Sequence, residues 1–141
     1  MKQKRIIKAW MESIVQSESF HVKQINLIFC DDLFLLNINK QYLSHDYYTD
    51  IITFDLADSE LNIVESEIYI SVDSVLENSN NLKLSFSEEL YRVIAHGILH
   101  LVGYNDKKKT ERERMREKES QYIAKLLLFH VKQSYNIKRG V

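Results

Sequence analysis

Residues 85 to 103, SFSEELYRVIAHGILHLVG, carry start and stop signals at their two ends, and no other stretch limits the fold as tightly. Ser85 and Glu88 have capping-box spacing, in which a serine hydroxyl and a glutamate three residues on satisfy each other's backbone N–H groups. The apolar residues then recur at helical spacing until Gly103, a typical residue just past a helix end. A helix here puts His96 and His100 about 40° apart around the axis and about 5–6 Å apart at Cβ. Leu90, Val93, Ile94, Ile98 and Leu101 form the apolar stripe, and both histidines fall at its edge.

The rest of the chain divides into further short elements. Ile6, Ile7, Trp10, Met11, Ile14 and Val15 predict a first helix ending near Ser17 to Ser19, and INLIFC predicts a buried strand. Asp31 or Asp32 can cap a helix carrying Phe34, Leu35, Ile38 and Tyr42, which SHDYYTD stops. DIITFDLA and EIYISVD read as strands, with LNIV between them as a short fourth strand, and VDSVLENS reads as a helix. Thr110 with Glu113 makes a second capping box, opening a long last helix with Met115, Tyr122, Ile123, Leu126 and Phe129 inward and a frayed tail, SYNIKRGV. Helices and strands mixed without strict alternation indicate an α+β class, with a small mixed sheet of about four strands packed on helices. At 141 residues the chain suits one domain, residues 1–141.

Several function classes drop out at this point. No apolar run approaches the roughly 20 residues of a membrane span, and the first 16 residues are amphipathic, unlike a signal peptide. Cys30 is the single cysteine and cannot form an internal disulfide, so the reducing cytoplasm is the expected compartment. A net charge of −1 argues neither for nor against nucleic acid, but its distribution is uneven. Asp50 to Glu89 holds ten acidic residues and one lysine, whereas Lys107 to Lys118 holds seven basic and three acidic residues.

The stretch HGILHLVGYND, residues 96 to 106, carries the chemistry. Two histidines four apart on a helix can grip one ion, and a left-handed Gly103 can turn the chain back so that Asp106 arrives as a third ligand. The spacing H-x-x-x-H-x-x-G-x-x-D matches the metzincin protease arrangement with aspartate for the last histidine. Two imidazoles and a carboxylate suit Zn²⁺ with one coordination position left open, and ligand type alone leaves iron, nickel and manganese open. In the metalloprotease motif a glutamate follows the first histidine as general base; here Gly97 stands there, so a conventional peptidase lacks its base. The motif assigns no other general base.

HGILHLVGYND resembles the signature of the YbeY family, HGxLHLxGYDH, differing at the last two positions. LNINKQYLSHDYYTDIITF resembles the family segment ending TDVLSF, and SEIYIS resembles its GDIxIS strand; the three blocks keep the family's order and span roughly residues 36 to 106. The resemblance implies a zincin-like α+β fold. It also implies a zinc-dependent, single-strand-preferring endoribonuclease acting in ribosomal RNA maturation and ribosome quality control, with RNA, and the ribosome or small-subunit proteins, as partners. Carried over by position, His96 and His100 match the first two metal ligands, and the third histidine falls on Asp106. A carboxylate there adds negative charge and weakens the ion as a Lewis acid. The family's Tyr-Arg pair is Tyr42-Leu43 here, and its Gly-Asp pair is Ser66-Glu67. Thr49, Asp50 and Thr53 match its cleft-lining strand, with Asp50 as apt to pin that strand as to meet substrate. Two alternatives accompany this reading: a zincin-type metallopeptidase, and a non-catalytic binding protein of the assembling ribosome. His21, His45 and His130 have no ligand spacing, and Tyr104 is expected to pack over the turn.

Overall fold

The computed structural model describes residues 2–44, 49–57 and 61–139, with side chains from residue 4 to 129. Helix α1 (Lys2–Ser17) leads into strand β1 (His21–Cys30), then α2 (Asp32–Leu43), β2 (Ile51–Asp55), β3 (Ile63–Ser71), α3 (Val72–Leu82), α4 (Phe86–Leu101) and α5 (Lys109–Arg139). The sheet is mixed, in the order β1-β3-β2, with β1 parallel and β2 antiparallel to the central strand. The fold class is α+β as expected.

The strand count differs: the described residues contain three strands, not about four. LNIV is no separate strand. Its Ile63 and Val64 begin β3, because Glu65-Ser66-Glu67 continue the in-out alternation and no turn residue intervenes. The break falls earlier, at Asn62, whose φ of +51° is one that asparagine tolerates better than most residues. INLIFC also differs from the buried strand expected of it. It lies on a sheet edge, where Ile25 and Leu27 are half-buried and Phe29 is 51% exposed.

The strand alternation separates two apolar layers. On one face, Val64, Ile68 and Ile70 of β3 pack with Trp10, Ile14 and Val15 of α1, Ile94, Ile98 and Leu99 of α4, and Met115, Tyr122 and Leu126 of α5. On the other, Ile52 packs under Leu35 and Ile38 of α2 with Cys30, Phe54 and Tyr69. Trp10 Nε1 donates to the Tyr122 carbonyl at 2.6 Å, locking the first helix to the last without leaving the indole N–H unpaired. Of the apolar residues α2 carries, Leu35, Leu36 and Ile38 are buried, whereas Phe34 and Tyr42 are 51% and 63% exposed.

The helix ends follow their caps. Asp31 caps α2, and its carboxylate accepts from Phe34 N–H at 2.9 Å. The Ser85–Glu88 capping box is present on α4. The Thr110–Glu113 box is not what opens α5, which starts at Lys109; Glu111 instead accepts from Lys108 N–H at 2.9 Å, and Thr110 lies inside the first turn. α5 also outruns its expected end, continuing through most of SYNIKRGV to Arg139. No helix among the described residues is long and apolar enough to cross a membrane.

Candidate metal centre

Helix α4 presents His96 and His100 one turn apart, and their rings meet edge to face with centroids 4.6 Å apart. The helix stops at Val102, where Gly103 takes φ of +105°, and the Gly103 and Tyr104 N–H groups bond back to the carbonyls of His100 and Leu99 at 3.1 and 3.0 Å. This positive φ suits glycine, and it reverses the chain over its own last turn. Asp106 thereby reaches the histidines: its Oδ2 lies 3.2 Å from His96 Nε2 and 3.3 Å from His100 Nε2.

The proton positions follow from the partners on the far side of each ring. His100 Nδ1 is 2.8 Å from the carbonyl oxygen of Tyr104, which can only accept, so that nitrogen carries the proton. His96 Nδ1 is 2.6 Å from Glu119 Oε2, again an acceptor. With both rings neutral, the Nε2 atoms turn lone pairs inward, only 3.0 Å apart, toward a carboxylate oxygen. Such a trio repels itself unless a positive charge, a proton on His96 or a metal ion, sits among its members. A tetrahedral site with Zn–N and Zn–O bonds of about 2.0–2.1 Å has ligand edges of about 3.3 Å, close to the three observed separations. The donor set and its spacing fit a divalent metal, and the three residues could hold one.

Charge around the site points the same way. Burial opposes a charge on His96, but the Glu119 hydrogen bond and charge, with Asp106 and Asp50, outweigh it and raise the imidazole above its ordinary value. The pocket thus favours positive charge. Glu119 is itself buried on α5 and 3.5 Å from Arg92, whose Nε donates to buried Glu89 at 2.8 Å. Asp50 is half-buried, and burial pushes its carboxyl up against the opposing pull of Arg92 and His96. It pins its strand: its carbonyl accepts from Ser71 N–H at 3.0 Å, and its carboxylate accepts from Asn78 Nδ2 at 3.3 Å.

Gly97 has a reason of its own. A Cβ there would lie 2.6 Å from Ile51 Cδ1 and 3.2 Å from Thr53 Cγ2, because β2 crosses directly over the helix. The position beside His96 that carries the base in H-E-x-x-H faces a packed strand here. Gly97→Glu is expected to cost more than about 3 kcal/mol, the penalty range for an uncompensated buried charge. Gly97→Ala should stay within about 1 kcal/mol of the native protein, since the gain in helix propensity offsets small shifts of the Ile51 Cδ1 and Thr53 Cγ2 methyls. Urea denaturation of both variants checks this, and equal stability for the two would refute the packing argument.

Tyr104 packs over the turn as expected. Its hydroxyl donates to Glu18 Oε1 at 2.7 Å, and Arg114 and Lys118 lie 5.6 and 5.8 Å from its ring centroid. Glu18 also accepts from the Tyr122 hydroxyl and from Lys118 Nζ, the latter at 3.1 Å. Burial alone would raise the Glu18 carboxyl, but the bonds from Tyr122, Tyr104 and Lys118 prevail and hold it below its ordinary 4.5. A depressed folded value means the stabilisation is present above pH 4.5 and drains away as pH falls through that lower value. Glu18→Gln should therefore cost about 1–3 kcal/mol at pH 7, with the gap to the native protein narrowing below pH 4.5 in denaturant titrations.

Sequence reasoning missed Glu119 and Arg92. One signal was available: an inward stripe cannot jump from Met115 to Tyr122 without an inward residue near 118 or 119. Arg92 stands four residues before His96, on the same side of α4. Among the remaining histidines, His21 is exposed at the start of β1, while His45 and the His130 side chain lie outside the described residues, as does the rest of 45–48 in SHDYYTD. Leu43, at the family's arginine position, is exposed near the end of α2.

A family profile described as Endoribonuclease YbeY matches residues 1–127. The chain belongs to the YbeY family. Relatives named Endoribonuclease YbeY include one from Christiangramia forsetii, 48% identical over 88% of this chain and 83% of that protein. Another, from Flavobacterium psychrophilum, is 47% identical over 89% of this chain and 86% of its own length. The solution structure of TM1509 from Thermotoga maritima is similar with a TM-score of 0.62 and 30% identity, covering 89% of this chain and 84% of that one. YbeY membership supports a hydrolase acting on RNA, and the peptidase and non-catalytic readings are not favoured.

Proposed function

We propose that residues 1–141 form one zincin-like domain, a zinc-dependent endoribonuclease that cuts single-stranded regions of ribosomal RNA during its maturation and in ribosome quality control. Ribosome or small-subunit proteins are its partners, and the cytoplasm is its place of action. His96, His100 and Asp106 hold the ion. The carrying observation is the convergence of three inward-facing donor atoms 3.0 to 3.3 Å apart, with the outer nitrogen of each ring committed to an acceptor. When bound, zinc supplies a Lewis acid for a phosphoryl oxygen and acidifies water.

The chain's own residues prepare that site. Glu119 and the Tyr104 carbonyl hold each histidine in one tautomer and one ring orientation, a task that outer partners of metal sites commonly perform. Arg92 is shared between Glu89 and Glu119, so Glu119 keeps part of its charge and, with Asp106, sets the field at His96. The helix-on-strand contact at Gly97 keeps an additional carboxylate out of the place next to His96.

Purified protein should cut a fluorescent single-stranded RNA, spare its duplex, leave a casein-derived peptide intact, lose activity to a chelator and regain it with zinc. Peptide hydrolysis, or RNA cleavage undiminished by chelation, would count against the proposal.

A further inference from the structure

One carboxylate outside the metal triad gathers three hydrogen-bond donors. Glu18 lies just past α1, where Ser19 takes φ of +67° and the Glu18 N–H bonds back to the Ile14 and Val15 carbonyls, both at 3.2 Å. Its side chain is only 12% exposed, and it accepts from the Tyr104 hydroxyl, the Tyr122 hydroxyl and Lys118 Nζ. Nothing in α1 calls for an acid here, because a carboxylate beside a helix C-terminus works against the helix dipole. Lys118 and Tyr122 stand one turn apart on α5 and fix the carboxylate from one side. Tyr104 meets it from the other. The same residue accepts from His100 Nδ1 with its own carbonyl at 2.8 Å, and its N–H closes the turn onto Leu99 at 3.0 Å.

We propose that Glu18 is a positioning residue of the metal centre: through the Tyr104 hydroxyl it holds the turn that carries Asp106 and that orients the His100 imidazole. This role rests on the metal site of His96, His100 and Asp106 put forward above. A glycine with positive φ lets the chain reverse at 103 but leaves it free to open again, so the turn needs an anchor. The Tyr104 hydroxyl supplies one by tying the turn to the end of α1 at 2.7 Å. The group that accepts from the second nitrogen of a metal-binding histidine sets the ring's orientation, and Glu18 acts one bond further out, on the residue that carries that group. Glutamine in its place would offer one acceptor oxygen to three donors and no charge opposite Lys118.

The test uses the whole chain, with zinc affinity measured against a chromophoric chelator and imidazole nitrogen NMR recorded on the metal-free protein. Glu18→Gln should weaken zinc binding about threefold to tenfold, below the roughly 10–100-fold effect of direct outer partners. Its His100 Nδ1 proton should exchange with solvent faster than in the native protein, whereas the His96 Nδ1 proton, held by Glu119, should not. Tyr104→Phe keeps the ring and removes only the hydroxyl, and it should reproduce both changes. The double variant should bind zinc no more weakly than Glu18→Gln alone, because both substitutions break the same bond. Ile38→Ala, in the apolar layer on the other face of the sheet, loses at least comparable stability and should bind zinc as the native protein does. Unchanged zinc affinity in Glu18→Gln, equal quickening at both histidines, additive losses in the double variant, or an equal loss in Ile38→Ala would overturn the proposal. Native protein that binds no zinc would overturn the metal centre itself, and the role of Glu18 would fall with it.

Discussion

Asp106→Ala is expected to lose the bound metal and more than about 100-fold of the RNA cleavage rate while staying folded. The loss should exceed the roughly 10–100-fold typical of outer partners because a direct donor is removed. Folding should be spared because Asp106 lies in a turn with its side chain 38% exposed, outside the apolar core. A surface substitution of this kind usually changes stability by about 0.5 kcal/mol or less. Elemental analysis should find about one zinc per native chain and little in the variant, with circular dichroism to verify the fold. Metal retained at native stoichiometry in the variant would remove Asp106 from the ligand set. Metal lost with cleavage intact would instead separate the site from the activity.

The second large effect belongs to Glu119, which no ligand motif marks. Glu119→Leu leaves both the His96 ring N–H and part of the Arg92 charge without a partner in a buried place, and should cost about 3–5 kcal/mol of stability. Glu119→Gln keeps an acceptor for His96 but drops the charge, so it should fold with a smaller penalty and bind zinc about 10–100-fold more weakly. Competition against a chromophoric chelator measures the affinity, and urea titration measures the stability. A merely structural glutamate would give a different pattern, with stability lost in both variants and zinc affinity of the folded protein unchanged.

Helix α4 was legible because each of its signals acts within four residues. The capping box, the stripe of Val93, Ile94 and Ile98, the i,i+4 histidines and the glycine stop all concern one turn of backbone, and all appear where they were expected. The first helix and the cap at Asp31 were readable for the same reason. Strand roles were harder to read. A run such as INLIFC shows that a segment suits a sheet, but its burial depends on which neighbours the sheet order gives it. As an edge strand, β1 leaves Phe29 51% exposed.

By itself, then, the sequence determined the α+β class, the helix that carries His96 and His100, and a glycine turn able to bring a carboxylate back to them. Only the tertiary structure decided that Asp106 faces both imidazoles, that Glu119, 23 residues beyond His96, fixes its proton, and that Gly97 must be small because β2 crosses it. Local hydrogen bonding and side-chain periodicity are properties of a few neighbouring residues. The contacts that orient this site join α4 to β2 and α5, and they exist only once those elements have packed.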